Sequence, residues 1–168
     1  MRRSLSIARA SLVLLLICGC TTQFAPAHDQ AVSDGLVSAN KDIQALFVAV
    51  GTSATKDTYP MRATAYDHIE AELKAVELQI KTRPIPNSDV LQQANSLLTK
   101  FGVGGISNDP NFSNYPSARS VADLVQTIQH MEISDQTTGL PPNLLSAYEN
   151  QANIYLAQAI TYENFLKR

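Results

Sequence analysis

Histidines and carboxylates are the side chains through which a helical protein most readily holds a metal ion or moves a proton, and the 168-residue chain has 3 of the former and 15 of the latter. Bundles that carry di-iron centres present inward Glu-x-x-His motifs. The chain has none: its nearest sets are His68 with Glu70 and Glu72, and His130 with Glu132. Positions two apart on a helix point to different sides, so His28, His68 and His130 are read as surface or boundary residues and no metal is expected. The carboxylate pairs Glu70 with Glu72 and Glu149 with Glu163 fall on polar faces, where solvation accounts for them. No Gly-x-Ser-x-Gly turn offers a nucleophilic serine. Gly102-Val103-Gly104-Gly105 follows a helical stretch and is not succeeded by Lys-Ser/Thr, so it lacks the context of a phosphate loop. The reading is of a protein without a catalytic residue and without a cofactor.

Tyrosine carries the sharper pattern. Leu145, Tyr148, Ala152, Tyr155, Ala159, Tyr162 and Leu166 keep an unbroken heptad a/d register, as a helix in a left-handed bundle does toward its neighbours. Alanines at alternate layers let a partner helix approach, and rings fill the layers between. On this reading the tyrosines are bundle core with hydroxyls at its boundary. The alternative is that Tyr66, Tyr148, Tyr155 and Tyr162 line a cleft between helices that stacks on a ligand such as a sugar or a peptidoglycan fragment.

The elements that would position these residues are helices. Apolar side chains recur at three-and-four spacing through Val32, Leu36, Ala39, Ile43, Leu46 and Val50, and again from about Pro60 through Tyr66, Ile69, Leu73, Val76 and Ile80. A shorter run opens at Asn87 or Ser88 and closes at Gly102; a fourth opens near Ser117 or Ser120 and fades before Gly139; a fifth runs from Pro141 or Pro142 nearly to the end. The fold class expected is all-α: an antiparallel up-and-down bundle of four long helices plus one short helix. The 102–116 stretch is long for a joint in a compact domain, and its Asn108, Asp109, Phe112 and Tyr115 make it the candidate interaction loop.

Arg2, Arg3 and Arg9, then an apolar run from Leu12 to Ile17, then Ile17-Cys18-Gly19-Cys20, have the layout of a secretory signal. The apolar run is shorter than the roughly 20 residues a membrane span requires. Its exit resembles the lipobox of bacterial lipoproteins, with Ile17 at the aliphatic position, Gly19 at the small one, Cys20 as acceptor, and Cys18 a less usual middle residue. The resemblance covers about the first twenty residues. It implies that 1–19 are removed and that Cys20 carries diacylglycerol and usually an amide-linked acyl chain. Thr21 stands where an Asp would favour inner-membrane retention, so the resemblance implies the periplasmic face of the outer membrane in a Gram-negative host.

Three compositional points follow. Both cysteines lie at the processing site, so the mature domain has no disulfide. All 15 acidic residues but only 10 of the 13 basic ones lie beyond Gly19, and a mildly acidic domain offers nothing to nucleic acid or anionic lipid. Residues 20–28 read as a lipidated start and short tether, and 29–168 as one helical domain. The functional expectation is a non-catalytic envelope lipoprotein that contacts another envelope protein as an accessory, interaction or inhibitor module. The alternative is a small-molecule or glycan binder that uses the tyrosine cleft. Cys20→Ser is expected to abolish incorporation of labelled palmitate and to free the protein from the membrane fraction. Label retained on the variant would contradict the lipidation site.

Overall fold

The computed structural model describes residues 28–84, 88–100 and 115–167. Cys20, the signal, the tether up to residue 27, and Asn108, Asp109 and Phe112 of the candidate loop lie outside them. The described residues form α-helices joined by turns, with no strand among them. No helix among them is long and apolar enough to cross a membrane.

Helix α1, Gln30–Val50, begins where the Asp29 carboxylate accepts from the Ala31 N–H at 3.0 Å, and stops at Gly51, whose φ of 71° no β-carbon favours. The second helix starts later than Pro60 suggests. Residues Lys56–Met61 wind as a 3-10 turn that contains Pro60, and α2 proper is Ala63–Lys81. Pro60 is the fifth of the six residues of this turn, where its fixed φ suits the tighter winding but its missing N–H interrupts the ladder, so the continuous helix begins only after it. A short helix α3, Ser88–Lys100, buries Leu98. Helix α4, Pro116–Thr137, and helix α5, Pro142–Phe165, each open on a proline.

α1 packs on α2 and α5, α4 packs on the same two, and α3 rests on α5. One apolar cluster lies between the four long helices: Leu36, Ile43 and Leu46 from α1, Ile69, Leu73 and Ile80 from α2, Leu124, Ile128 and Met131 from α4, and Ala152, Leu156 and Ala159 from α5. The α5 seam differs from the heptad reading. Leu145, Ala152, Ala159 and Tyr162 are buried as expected, but so are Leu156 and Glu163, while Tyr148 and Tyr155 are only half-buried. A straight helix repeats every 3.6 residues, so a 3.5-residue stripe drifts around it and the buried face changes along its length.

At one end, the turn before the 3-10 segment meets the turn after α4. Ala54 and Leu140 exchange backbone hydrogen bonds at 3.0 and 2.7 Å. Between them Gly139 has φ 82°, and a β-carbon there would stand 2.6 Å from the Ala54 carbonyl oxygen. Beside this joint the Arg62 guanidinium clasps Asp135 with two bonds, Nε to Oδ2 at 2.8 Å and Nη2 to Oδ1 at 2.7 Å. Their side chains are 7% and 0% exposed, so neither charge has water as an alternative partner. Tyr66 donates to Asp135 at 3.1 Å, and Thr58 accepts from Arg62 at 3.0 Å.

The other end repeats the device with different residues. Arg83 donates to both oxygens of Glu163, at 2.8 and 2.7 Å, and Ser117 adds a third bond at 2.6 Å. This corrects the reading of Glu163 as a solvated surface carboxylate: only 2% of its side chain is exposed. Tyr115 donates to the Arg83 carbonyl at 3.1 Å, and Gln79 to Asp29 at 3.0 Å, so the ends of α1, α2, α4 and α5 meet here.

Removing one partner of a buried pair strands the other's charge. Asp135→Ala is therefore expected to cost about 3–5 kcal/mol in urea unfolding. The triple variant Arg62→Met, Asp135→Leu, Tyr66→Phe, which leaves no stranded polar group, should recover most of that loss. A loss below about 1 kcal/mol in the single variant would show that the pair contributes little.

Candidate functional site

The four tyrosines singled out by sequence do not share one cleft. Tyr66 is wholly buried beside Asp135, and Tyr162 is buried at the opposite end beside Glu163. Tyr148 and Tyr155 do come together, on a groove between α4 and α5 whose lining includes Asp123, Thr127, His130 and Gln151 and whose volume is about 260 Å³. The Tyr148 hydroxyl is already engaged: it lies 3.1 Å from the His130 carbonyl and 2.9 Å from Ser134 Oγ. Tyr155 offers the groove its half-buried ring. Tyr115, from the candidate loop, is half-buried and bonded to the Arg83 carbonyl.

Burial and nearby carboxylates make these phenols hard to ionise. The hydrogen bond to Glu132, 2.8 Å long, together with burial, pushes Tyr59 from 10.0 to about 12. Burial first, and the Asp135 charge second, drive Tyr66 well above the usual range. Burial and then Glu163 do the same to Tyr162, against the opposing charge of Arg83. Tyr155 moves upward chiefly through burial and then Asp123. The Asp135 hydrogen bond, in turn, holds Arg62 more firmly protonated than a free guanidinium.

A different groove, of about 200 Å³, lies between α1 and the start of α2 and is mainly apolar, with Ala45, Leu46, Ala49, Met61, Ala65 and Ile69 in its wall. Met61 is 85% exposed. Asp42 and His68 also line this groove. With Glu72 they form a set in which a ligand atom from each lies within 4.8 Å of the others. His68 and Glu70 are two positions apart and point to different sides, whereas His68 and Glu72 are four apart, one turn along the same face.

The burial of Arg62, Asp135 and Glu163 is also absent from the sequence reading, although a signal for it exists. Asp135 extends the stripe Leu124, Ile128, Met131 by one more step; Arg62 precedes Tyr66, Ile69 and Leu73 in the same way; Glu163 follows Leu156 and Ala159. A charge at the end of an apolar stripe is a charge that needs a buried partner.

No protein-family model matches the chain, and no curated protein or solved structure matches it.

The tyrosines yield a pH dependence and a pair of substitutions. Phenols raised in the folded state keep protons that the unfolded chain releases above its ordinary pKa of 10.0, so their stabilising contribution is full below that pH and is lost as pH climbs toward about 12, the value for Tyr59. The Tyr162 hydroxyl has no hydrogen-bond partner, so Tyr162→Phe should leave stability unchanged or raise it by up to about 1 kcal/mol. Tyr66→Phe, which takes a donor from buried Asp135, should cost about 1–2 kcal/mol. Urea titrations at pH 7 and pH 11 check both, and equal effects of the two variants would contradict the assignment.

Proposed function

We propose that this protein is a lipid-anchored envelope protein that works by contacting another envelope protein, and that its four long helices run as an antiparallel up-and-down bundle with α3 laid against it. The apolar groove beside Met61 is the observation that carries the contact reading. A thioether standing 85% exposed next to three alanines offers a compact recess and a flexible apolar lip, which suits a partner's side chain. The bundle arrangement is supported by bonds between opposite helix ends: the start of α2 with the end of α4 through Arg62 and Asp135, and the start of α1 with the end of α2 through Asp29 and Gln79.

The anchor supports the same reading. The eight residues from Thr21 to His28 reach at most about 26–29 Å when extended, which keeps the end of the domain bearing Asp29, Arg83 and Glu163 near the bilayer. The Met61 groove belongs to the far end, about 30 Å away along helices of this length. A contact surface there faces away from the membrane that holds the protein. The 102–116 loop remains part of the proposal through Phe112 and Tyr115.

The second reading, a glycan-binding bundle, draws on Tyr148 and Tyr155, whose rings flank a groove with Asp123, Gln126 and Gln151 as hydrogen-bonding groups. The two readings separate in one experiment. A photo-crosslinking residue at Met61, a second at Phe112 and a control at exposed Asn150 are irradiated in living cells, and adducts are identified by mass spectrometry. The contact reading expects one and the same envelope protein at Met61 and absent from Asn150. No adduct above control at either test position would reject it, and retention on peptidoglycan that Tyr155→Ala abolishes would establish the glycan reading instead.

A further inference from the structure

We propose that Asp42, His68 and Glu72 form a binding site for a divalent transition-metal ion, zinc being the one their donors suit best. His68 and Glu72 lie one turn apart on α2, and Asp42 faces them from α1, so the set is built from two packed helices and is preorganised by the core beneath it. Asp42 Oδ2 and His68 Nε2 are 3.2 Å apart. In a tetrahedral zinc site with bonds of about 2.0–2.2 Å, neighbouring donor atoms stand about 3.3–3.6 Å from one another. The pair therefore needs only a few tenths of an ångström of adjustment to share an ion in place of a proton.

Glu72 supplies an independent indication. Its Oε2 is shut off from solvent and has no hydrogen-bond partner, an arrangement that is unfavourable unless a donor or cation is supplied. Lys74 on the same helix does not fill that role, because its ammonium is bonded to Glu70 at 2.8 Å. Charge fits as well: two carboxylates and a neutral imidazole neutralise a doubly charged ion. The side chain of His68 is 66% exposed and that of Asp42 32% exposed, which leaves the outer coordination position open to water. Three protein ligands with an open fourth position is an arrangement zinc accepts. A nitrogen donor in so small a set disfavours calcium and magnesium, which take oxygen ligands in larger number. The proposal is independent of the contact reading, although Asp42 and His68 also border the Met61 groove.

Zinc chloride titrated into the full chain in detergent, followed by calorimetry and by thermal melting, tests the site in wild type, His68→Ala and Glu72→Gln. All three proteins share the same N-terminus, so any zinc held there is common to them. The expected result is a zinc-dependent rise in Tm for wild type and an affinity weakened on the order of tenfold or more in each variant, since even outer-shell changes cost that much. His68 is exposed, so His68→Ala should melt like wild type without zinc, which separates lost binding from lost folding. Equal zinc binding in all three proteins, or no binding in wild type, would overturn the proposal.

Discussion

Two oppositely charged side chains shut away from water must find each other in one geometry, and this requirement at Arg62 and Asp135 fixes how the bundle closes. Asp135 is 0% exposed, and its oxygens accept from Arg62 and Tyr66. The apolar core by itself specifies alignment less sharply: cores accept exchanges among hydrophobic residues of similar volume and can repack. A bidentate salt bridge cannot, because a shift of one turn would leave a guanidinium and a carboxylate buried without partners. Arg62 thereby sets the register of α2 against α4. Arg83, Glu163 and Ser117 do the same for α2, α5 and α4 at the other end.

Stability and specificity divide between these features. The apolar cluster supplies the driving force, and the two ion-paired ends select one alignment among those that the apolar faces allow. The isolated bridge between Ala54 and Leu140 completes the first end by tying two turns together, and Gly139 is the residue that lets their backbones approach. The second end carries an imperfection in the form of the Tyr162 hydroxyl, buried without a partner beside a satisfied Glu163.

Most of the helical layout was legible in the sequence because stripes such as Val32, Leu36, Ala39, Ile43 and Ile69, Leu73, Val76, Ile80 are buried as their spacing requires. The 3-10 lead-in around Pro60 was not, since a proline before an apolar-periodic stretch also marks the first turn of an α-helix. The sites were less legible. Glu163 looks like a surface carboxylate until Arg83 is brought to it across 80 positions, and no local pattern announces a partner that distant. Tyr148 and Tyr155 share a groove as their heptad spacing suggests, whereas Tyr66 and Tyr162 lie at opposite ends because their helices carry them there. Asp42 joins His68 and Glu72 only through the packing of α1 on α2.

The central claim, that buried ion pairs lock both ends of a single cooperative core, is tested most directly by native-state hydrogen exchange across α2. Amides from Tyr66 to Ile80 should exchange with one common opening free energy, equal to that of global unfolding, with no fraying toward either salt bridge. Opening energies that fall steadily toward Arg62 or Arg83 would contradict the account, because the ends would then unfold independently of the core they are held to close.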